Sequence, residues 1–234
     1  MKPELSIVIP TFNEEISLGQ TLESLKIFGE NIEIIVVDGG SADATISVAE
    51  KYGVKILHSP RGRGTQLQIG GNAANGDVMW FLHADTIPSK DCVRQMTNAL
   101  KNTNVAGGNF TIRFDGDETA AKFLTWLYPN LQKINLIYGD SAIFVRREIY
   151  EKVGGYESYP IFEDLDFVRK LSREGEIITL PVSVTTSSRR FADGKFIFTF
   201  LRWTILQMLF WLGVSPHKLV KIYFPTDGRE SKTN

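Results

Sequence analysis

The chain has 234 residues, of which 43% are hydrophobic and 23% are charged, and its formal net charge is −1. This composition suits one sizeable domain with a full core, and it excludes a disordered chain and a protein that holds nucleic acid through bulk positive charge. Cys92 is the only cysteine, so an internal disulfide and a cysteine metal cluster are excluded and a reducing compartment is expected.

The first part of the chain alternates short apolar runs with helical segments. Strands are predicted over residues 5–10, 33–38, 54–57 and 78–82, and helices are predicted from Glu14 onward, over 43–52 and over 63–74. Asn13 is expected to cap the first helix, with Ile16, Leu22 and Leu25 facing inward. This alternation predicts an α/β fold with a mostly parallel central sheet flanked by helices.

After Asp85 the pattern is less regular. Helices are predicted over residues 89–101, 119–131 and 165–174, and strands over 105–114 and 142–145. Residues 196–214 form an apolar stretch long enough to span a bilayer, but Arg202 near its middle makes a span unfavourable. We expect one domain over residues 1–192 and a C-terminal helical extension over residues 193–234.

The C-terminal extension combines apolar and basic side chains. Lys195, Thr199 and Arg202 share one helical face, whereas Trp203 and Leu206 point elsewhere, a pattern typical of a helix on a membrane surface. The alternative is packing on the protein's own domain or on a second subunit of a homodimer. The N-terminus enters an apolar strand at once and lacks a signal peptide, so we expect a cytoplasmic protein at the inner face of the membrane.

Polar residues follow three of the predicted parallel strands. They are Thr11 and Glu14 after the first strand, Asp38 after the second, and His83 and Asp85 after the fourth. Because ligands bind beyond the carboxyl ends of parallel strands, these side chains are expected to converge at one edge of the sheet. The turn at Asp38 is either a plain strand–helix junction or a place where a ribose or base is bound, and both interpretations can hold together.

Two segments suit a phosphorylated ligand. Asp85, at the end of an apolar strand, offers the kind of carboxylate that Mg²⁺ takes together with substrate phosphates, although a simple loop aspartate is the alternative. Arg63 lies in a basic, glycine-rich loop that leads into a helix containing Gln66 and Asn72. A helix N-terminus with arginines attracts a diphosphate, whereas the alternative is a solvated basic loop.

Two later segments carry charge. Glu163 and Asp164 open a helix, where the helix dipole favours acids, and a carboxylate between apolar neighbours is also how a general base is built. Arg189 and Arg190 lie in a late loop, where they either neutralise a leaving phosphate or remain plain surface charge.

The ordered segments LSIVIPTFNEE, VVDGGSADAT, FLHADT and FEDLDFVRKL resemble the family 2 glycosyltransferases with the GT-A fold. The segments GRG, HAD, YGD and SSRRF resemble more closely a bacterial subgroup of glycosyltransferases associated with arsenosugar biosynthesis or radical enzymes. The resemblance runs over roughly residues 4 to 192. The SSRRF segment differs from the Gln-x-x-Arg-Trp motif of processive members, which argues against a polysaccharide synthase.

The resemblance implies an inverting transferase that moves a sugar from a nucleotide-diphosphate donor to an acceptor hydroxyl, with Mg²⁺ or Mn²⁺. It implies Asp164 as the general base and Asp85 as the metal ligand, although His83 stands where the family more often has an acid. The predicted substrate-binding residues are Pro10, Thr11, Glu14, Asp38, Gly39, Arg63, Gln66, Asn72, His83, Ala84, Asp140, Glu163, Arg189 and Arg190. The acceptor is expected to be lipid-linked or apolar.

Three other classes of function are alternatives to this hypothesis. A dinucleotide-dependent oxidoreductase needs a G-x-G-x-x-G turn directly after the first strand, and residues 11–14 contain no glycine. A sugar nucleotidyltransferase usually needs a glycine- and arginine-rich loop at the same place. A non-catalytic nucleotide-sugar-binding protein of the same fold is the last alternative, and the intact Asp85 and Asp164 argue against it.

Overall fold

The computed structural model describes residues 3–116, 119–132, 136–189 and 196–223. Within these ranges the strands are β1 (Leu5–Thr11), β2 (Ile32–Asp38), β3 (Lys55–His58), β4 (Val78–Phe81), β5 (Thr86–Pro88), β6 (Val105–Phe114), β7 (Phe144–Arg146) and β8 (Glu176–Thr186). The helices are α1 (Leu18–Leu25), α2 (Thr45–Lys51), α3 (Arg63–Ala73), α4 (Cys92–Ala99), α5 (Thr119–Gln132), α6 (Arg147–Val153), α7 (Glu163–Leu171), α8 (Phe196–Trp211) and α9 (Pro216–Tyr223).

The described strands form one sheet in the order β3-β2-β1-β4-β7-β6-β8-β5. Strands β3, β2, β1 and β4 run parallel, with Thr11 opposite Asp38 in register. Strand β7 is antiparallel to both β4 and β6, β6 is parallel to β8, and β5 is antiparallel to β8. The predicted α/β fold with a mostly parallel sheet is confirmed, and the strand direction first reverses between β4 and β7.

Apolar side chains cover both faces of the sheet, as alternation along a central strand requires. Trp80 of β4 packs against Phe110 on one face, with ring centroids 5.3 Å apart. The next residue, Phe81, packs edge-on against Tyr156 and Phe167 on the other face. Burial of such side chains stabilises the fold by about 1.5–3 kcal/mol each, so the carboxyl end of β4 is rigidly held.

The first helix begins four residues later than predicted, at Leu18. Asn13 adopts a φ of 54°, and its Oδ1 accepts a hydrogen bond from the Ala42 amide at 2.9 Å, so it ties two loops together instead of capping α1. Ile16 lies in this loop and is exposed, so its predicted inward orientation is wrong. Leu22 and Leu25 are buried, as predicted.

Strand β8 is not anticipated by the sequence pattern, because Pro181 interrupts it. The pairing of β8 with β6 shifts from Phe110–Leu180 to Thr111–Ser183, so the proline falls at an irregularity in the ladder. A proline within a sheet is tolerated at such positions because it has no N–H to donate. Strand β5 and helix α6 are also absent from the predicted elements.

Helix α8 packs on the domain through the apolar face that contains Trp203 and Leu206. Phe162, which precedes α7, contacts Trp203 at 5.5 Å and Phe210 at 5.2 Å between ring centroids, and Leu206 is buried in the same cluster. Lys195 lies outside the described residues. Among the described helices, none combines the length and apolar character that crossing a membrane requires.

Candidate active site

The turn after β2 is closed by the buried side chain of Asp38. Its Oδ2 accepts hydrogen bonds from the amides of Gly40 and Ser41, both at 2.9 Å, and its Oδ1 accepts one from Ser41 Oγ at 2.5 Å. Thr11 Oγ1 lies 3.4 Å from the same Oδ1. These are the contacts of a turn-forming aspartate, which is the plain interpretation of this segment.

Gln66 of α3 joins the ends of the first two strands. Its buried Nε2 donates hydrogen bonds to the carbonyls of Thr11 at 2.7 Å and Val37 at 2.8 Å. A Cβ added at Gly39 would lie 3.1 Å from this amide group, so the glycine permits the close approach. Both hydrogens of the Gln66 amide are therefore used to hold the floor of the site.

Three other predicted substrate-binding residues, Pro10, Ala84 and Asn72, lie at different distances from the carboxyl ends of the strands. Pro10 is half-buried on β1 opposite Val37, and the carbonyl of buried Ala84 accepts a hydrogen bond from Thr21 Oγ1 at 2.7 Å. Asn72 is exposed near the far end of α3, nine residues after Arg63 and so about 14 Å along the helix axis. The structure does not bring Asn72 to the site.

Arg189 links two of the predicted carboxylates. Its Nη2 donates to both carboxylate oxygens of Glu14, at 2.5 and 2.6 Å, and lies 3.4 Å from Asp85 Oδ2. Its Nη1 donates to Ser17 Oγ at 3.1 Å. The hydrogen bond to Glu14 raises the pKa of the Arg189 guanidinium, and the charge of Asp85 adds to this. Arg190 lies outside the described residues.

A second group of contacts begins two residues before Asp85. His83 Nδ1 lies 3.0 Å from Asp140 Oδ1. Asp140 belongs to the short turn, Gly139–Ser141, that precedes β7. In the same turn, the amide of Gly139 donates to Asp164 Oδ2 at 2.7 Å. The turn therefore joins the carboxyl end of β4 to the start of α7.

Arg63, the first residue of α3, faces the first two residues of α7. Its Nε donates a hydrogen bond to Glu163 Oε1, and its Nη2 lies 3.6 Å from Asp164 Oδ2. Burial raises the pKa of the Glu163 carboxyl, although the Arg63 charge opposes this shift. Burial by itself would lower the pKa of Arg63, but the charges of Glu163, Asp164 and Asp140 outweigh burial and raise it.

The chain joins the two groups of contacts at residues 83–85, and together they make up one charged cluster from Glu14 to Glu163. The cluster contains five carboxylates, on Glu14, Asp85, Asp140, Glu163 and Asp164, and two guanidinium groups, on Arg63 and Arg189. Five negative charges against two positive ones leave −3 when all five acids are ionised. A negatively charged diphosphate entering beside this cluster would need an additional cation.

The fit of a divalent cation rests on Asp85. Its carboxylate makes two long contacts, each of 3.4 Å, with Thr186 Oγ1 and Arg189 Nη2. Among the described residues, no group of three or more His, Cys, Asp or Glu side chains is arranged to hold a metal ion. Magnesium is commonly held by one or two carboxylates plus substrate phosphates, so a site with Asp85 alone suits a cation that arrives with a diphosphate.

Sequence reasoning missed the residues that support Asp164. Tyr138 Oη donates to Gln207 Oε1 at 2.8 Å, which ties the turn carrying Gly139 to α8. Burial raises the pKa of the Tyr138 hydroxyl to about 12, so it stays protonated and serves as the donor. The string Tyr138-Gly139-Asp140 was visible in the sequence, but only its aspartate suggested a role. Gln207, 69 residues away, gave no signal.

Comparison with known proteins gives a family match. The model for "Glycosyl transferase family 2" matches residues 6–154, which is more than half of the chain. The chain is 28% identical to the "Probable glycosyltransferase YdaM" of Bacillus subtilis, over 78% of this chain and 50% of that protein. It is 26% identical to the "Undecaprenyl-phosphate 4-deoxy-4-formamido-L-arabinose transferase" of Proteus mirabilis, over 94% of this chain and 71% of that protein.

Solved structures share the fold. A mannosyltransferase from Pyrobaculum calidifontis in complex with GDP-Man and Mn²⁺ matches with a TM-score of 0.63 and 18% identity, over 79% of this chain and 57% of that one. A glucosyl-3-phosphoglycerate synthase from Mycobacterium tuberculosis, in complex with Mn²⁺, UDP and glucosyl-3-phosphoglycerate, matches with a TM-score of 0.56 and 22% identity, over 78% of this chain and 70% of that one. The chain thus spans only half of the Bacillus relative and little more than half of the Pyrobaculum one.

Proposed function

The chain belongs to glycosyl transferase family 2, and we propose that it transfers a sugar from a nucleotide-diphosphate donor to a hydroxyl group of an acceptor. The observation that carries this proposal is the pair of contact groups that the chain joins at residues 83–85: Glu14, Arg189 and Asp85 form one, and the contacts of His83 with Asp140 and of Gly139 with Asp164 form the other. Together they connect the strand ends where a nucleotide is expected to the carboxylate at the start of α7.

Asp164 is the proposed general base of an inverting displacement. The acceptor oxygen attacks the anomeric carbon, the bond from that carbon to the diphosphate breaks, and the diphosphate leaves with the electron pair. The acceptor proton passes to Asp164. The Gly139 amide at 2.7 Å and the Arg63 cation at 3.6 Å support this role, because both contacts fix the position of Asp164 Oδ2.

The proposed donor site lies between the loops that follow β1, β2 and β4. Asp38, Glu14 and the buried Thr11 are proposed to face the nucleoside. Arg189 is proposed to exchange its contact with Glu14 for a contact with the diphosphate. The exchange is possible because a guanidinium group can bind the oxygens of a phosphate, like those of a carboxylate, in bidentate geometry. A divalent cation at Asp85, Mg²⁺ or Mn²⁺, would stabilise the charge that develops on the leaving diphosphate.

Membership of the bacterial subgroup associated with arsenosugar biosynthesis or radical enzymes is also a proposal. Its support is that each of the four segments quoted for it contributes a residue to these two groups of contacts. Arg63 reaches Asp164, His83 reaches Asp140, Gly139 reaches Asp164, and Arg189 reaches Asp85. The proposed acceptor is a lipid-linked or apolar molecule, with the reaction at the cytoplasmic face of the membrane.

The test is a panel of nucleotide sugars screened by thermal shift and transfer assay in the presence of Mn²⁺. We expect at least one donor to raise the melting temperature, and we expect Asp164→Asn to reduce transfer by about 10²–10⁴-fold while donor affinity is retained. Asp166→Asn is the matched control, because Asp166 is also a buried carboxylate of α7 but pairs with Arg169. Transfer by Asp164→Asn at the level of the control would refute the assignment.

A further inference from the structure

The outward face of α8 is a continuous apolar stripe. Leu201, Ile205, Met208 and Leu212 follow one another at intervals of four, three and four residues, the spacing of a single helical face. Each of them is more than half exposed, as are Trp211 and Ile222. Six of the ten exposed large hydrophobic side chains in the described part of the chain therefore lie on α8, on α9 or at the α8–α9 junction.

The same segment carries only positive charge. Residues 196–223 contain Arg202, Lys218 and Lys221 and no Asp or Glu, which gives +3, whereas the whole chain carries −1. Lys218 and Lys221 are exposed on α9 and share a helical face with the exposed Ile222. Arg202 Nη2 donates to the carbonyl of Ile222 at 2.9 Å, which fixes α9 against α8. An apolar stripe flanked by cations matches the surface of an anionic bilayer.

The inward face of α8 packs on the residues that hold the proposed general base. Trp203 and Phe210 contact Phe162, the residue before Glu163 and Asp164. Gln207 accepts the hydrogen bond from Tyr138, whose neighbour Gly139 donates to Asp164. Helix α8 therefore carries the exposed apolar stripe on one face, and its other face contacts the loop that positions Asp164.

We infer that α8 and α9 dock on the surface of an anionic phospholipid bilayer, so that Asp164 receives an acceptor that the membrane presents. The part about the acceptor rests on the proposed transferase function, whereas the docking does not. Helix α8 has 16 residues and is about 24 Å long, shorter than the roughly 30 Å hydrocarbon core. It accordingly lies in the interface and does not span it.

Charge favours lipid over a second copy of the chain as the occupant. In a two-fold symmetric dimer the same patch meets itself, so the three cations of one copy would face the three cations of the other. Anionic headgroups offset this charge instead. The two occupants also differ in a measurable way, because a dimer forms without lipid and vesicle binding does not require a dimer.

The experiment is flotation of the full chain with vesicles of phosphatidylcholine and phosphatidylglycerol, compared with pure phosphatidylcholine vesicles, without any sugar donor. We expect binding to the anionic vesicles and its loss in Ile205→Glu/Met208→Glu. Ile27→Glu is the matched control. Ile27 is about as exposed as Ile205 and Met208, but it lies in the short helical turn that follows α1, outside α8 and α9. Lys218→Ala/Lys221→Ala should weaken binding roughly thirtyfold, about fivefold for each cation removed.

Several outcomes would overturn the inference. Flotation that Ile205→Glu/Met208→Glu leaves unchanged, or an absence of flotation with anionic vesicles, would do so. A lipid-free dimer that the same double variant converts to a monomer would identify a second copy as the occupant. Circular dichroism of each variant establishes that it is folded. If flotation succeeds while no donor supports transfer, the proposed function fails and the docking surface stands.

Discussion

Replacement of Arg63 by leucine is the most informative single perturbation of the site. The substitution removes the hydrogen-bonded cation from Glu163 and the nearby charge from Asp164, and both carboxylates are almost fully buried. Removal of one partner from a buried ion pair costs about 3–5 kcal/mol, because the other charge is left without compensation. The Arg63 side chain is 32% exposed, so we expect the lower end, about 3 kcal/mol.

For a domain of this size, about 3 kcal/mol corresponds to a melting temperature lower by roughly 6–12 °C. Differential scanning calorimetry measures this shift. The double variant Arg63→Leu/Glu163→Gln should recover most of the loss, since it also removes the buried charge of Glu163. Arg94→Leu is the control, because Arg94 pairs with Asp91 on the surface and should cost less than about 1 kcal/mol.

The pH dependence of this deficit has a defined sign. Burial raises the pKa of Glu163 above its ordinary value of 4.5, and loss of Arg63 removes the charge that opposes the shift. A carboxyl group with a raised folded-state pKa favours the folded state below its unfolded pKa, and this contribution is lost as the pH rises through the folded pKa. The deficit of Arg63→Leu should therefore be smaller at pH 5 than at pH 8. An equal deficit at both pH values, or no recovery in the double variant, would refute the reasoning.

Two further substitutions test the floor and the metal side of the site. Gln66→Leu removes two hydrogen bonds, to the carbonyls of Thr11 and Val37, while the Gly39 amide still donates to the Thr11 carbonyl at 2.9 Å. The loss should cost about 1–3 kcal/mol in total, measured by urea denaturation, and an unchanged midpoint would contradict the structural role. Asp85→Ala should weaken Mn²⁺-dependent binding of a nucleoside diphosphate, measured by calorimetry, and unchanged affinity would contradict the metal role.

The sequence predicts the parallel half of the sheet because each strand is a run of apolar residues that ends in polar ones. The register between β1 and β2 then brings Thr11 and Asp38 to the same level, as the rule for parallel sheets requires. The pattern is weaker where strands are short or irregular. Pro181 removes a hydrogen-bond donor from β8, and local pattern reading cannot foresee that a register shift in the ladder accommodates it.

The site residues were recognisable by type, whereas their partners were not. Arg63 and Glu163 are 100 residues apart, and no spacing rule joins them. Asn72 looked similar to Arg63 because both are polar residues of one predicted helix, but Arg63 contacts α7 from the N-terminal end of α3, and Asn72 lies near the opposite end. Asn13 looked like a helix cap, yet its side chain binds the 41–45 turn, since the loop pairs with that turn before α1 begins.

Backbone conformation departs from ordinary preference at this same site. The described part of the chain has three non-glycine residues with positive φ, namely Asn13 at 54°, Ala142 at 57° and Phe162 at 61°. They precede Glu14, follow the turn that carries Gly139, and precede Glu163. For Ala or Phe this conformation costs about 1–2 kcal/mol, so the surrounding packing must hold it. At Phe162 that packing comes from Trp203 and Phe210 of α8. A shift in the position of α8 would therefore change the orientation of the Asp164 side chain.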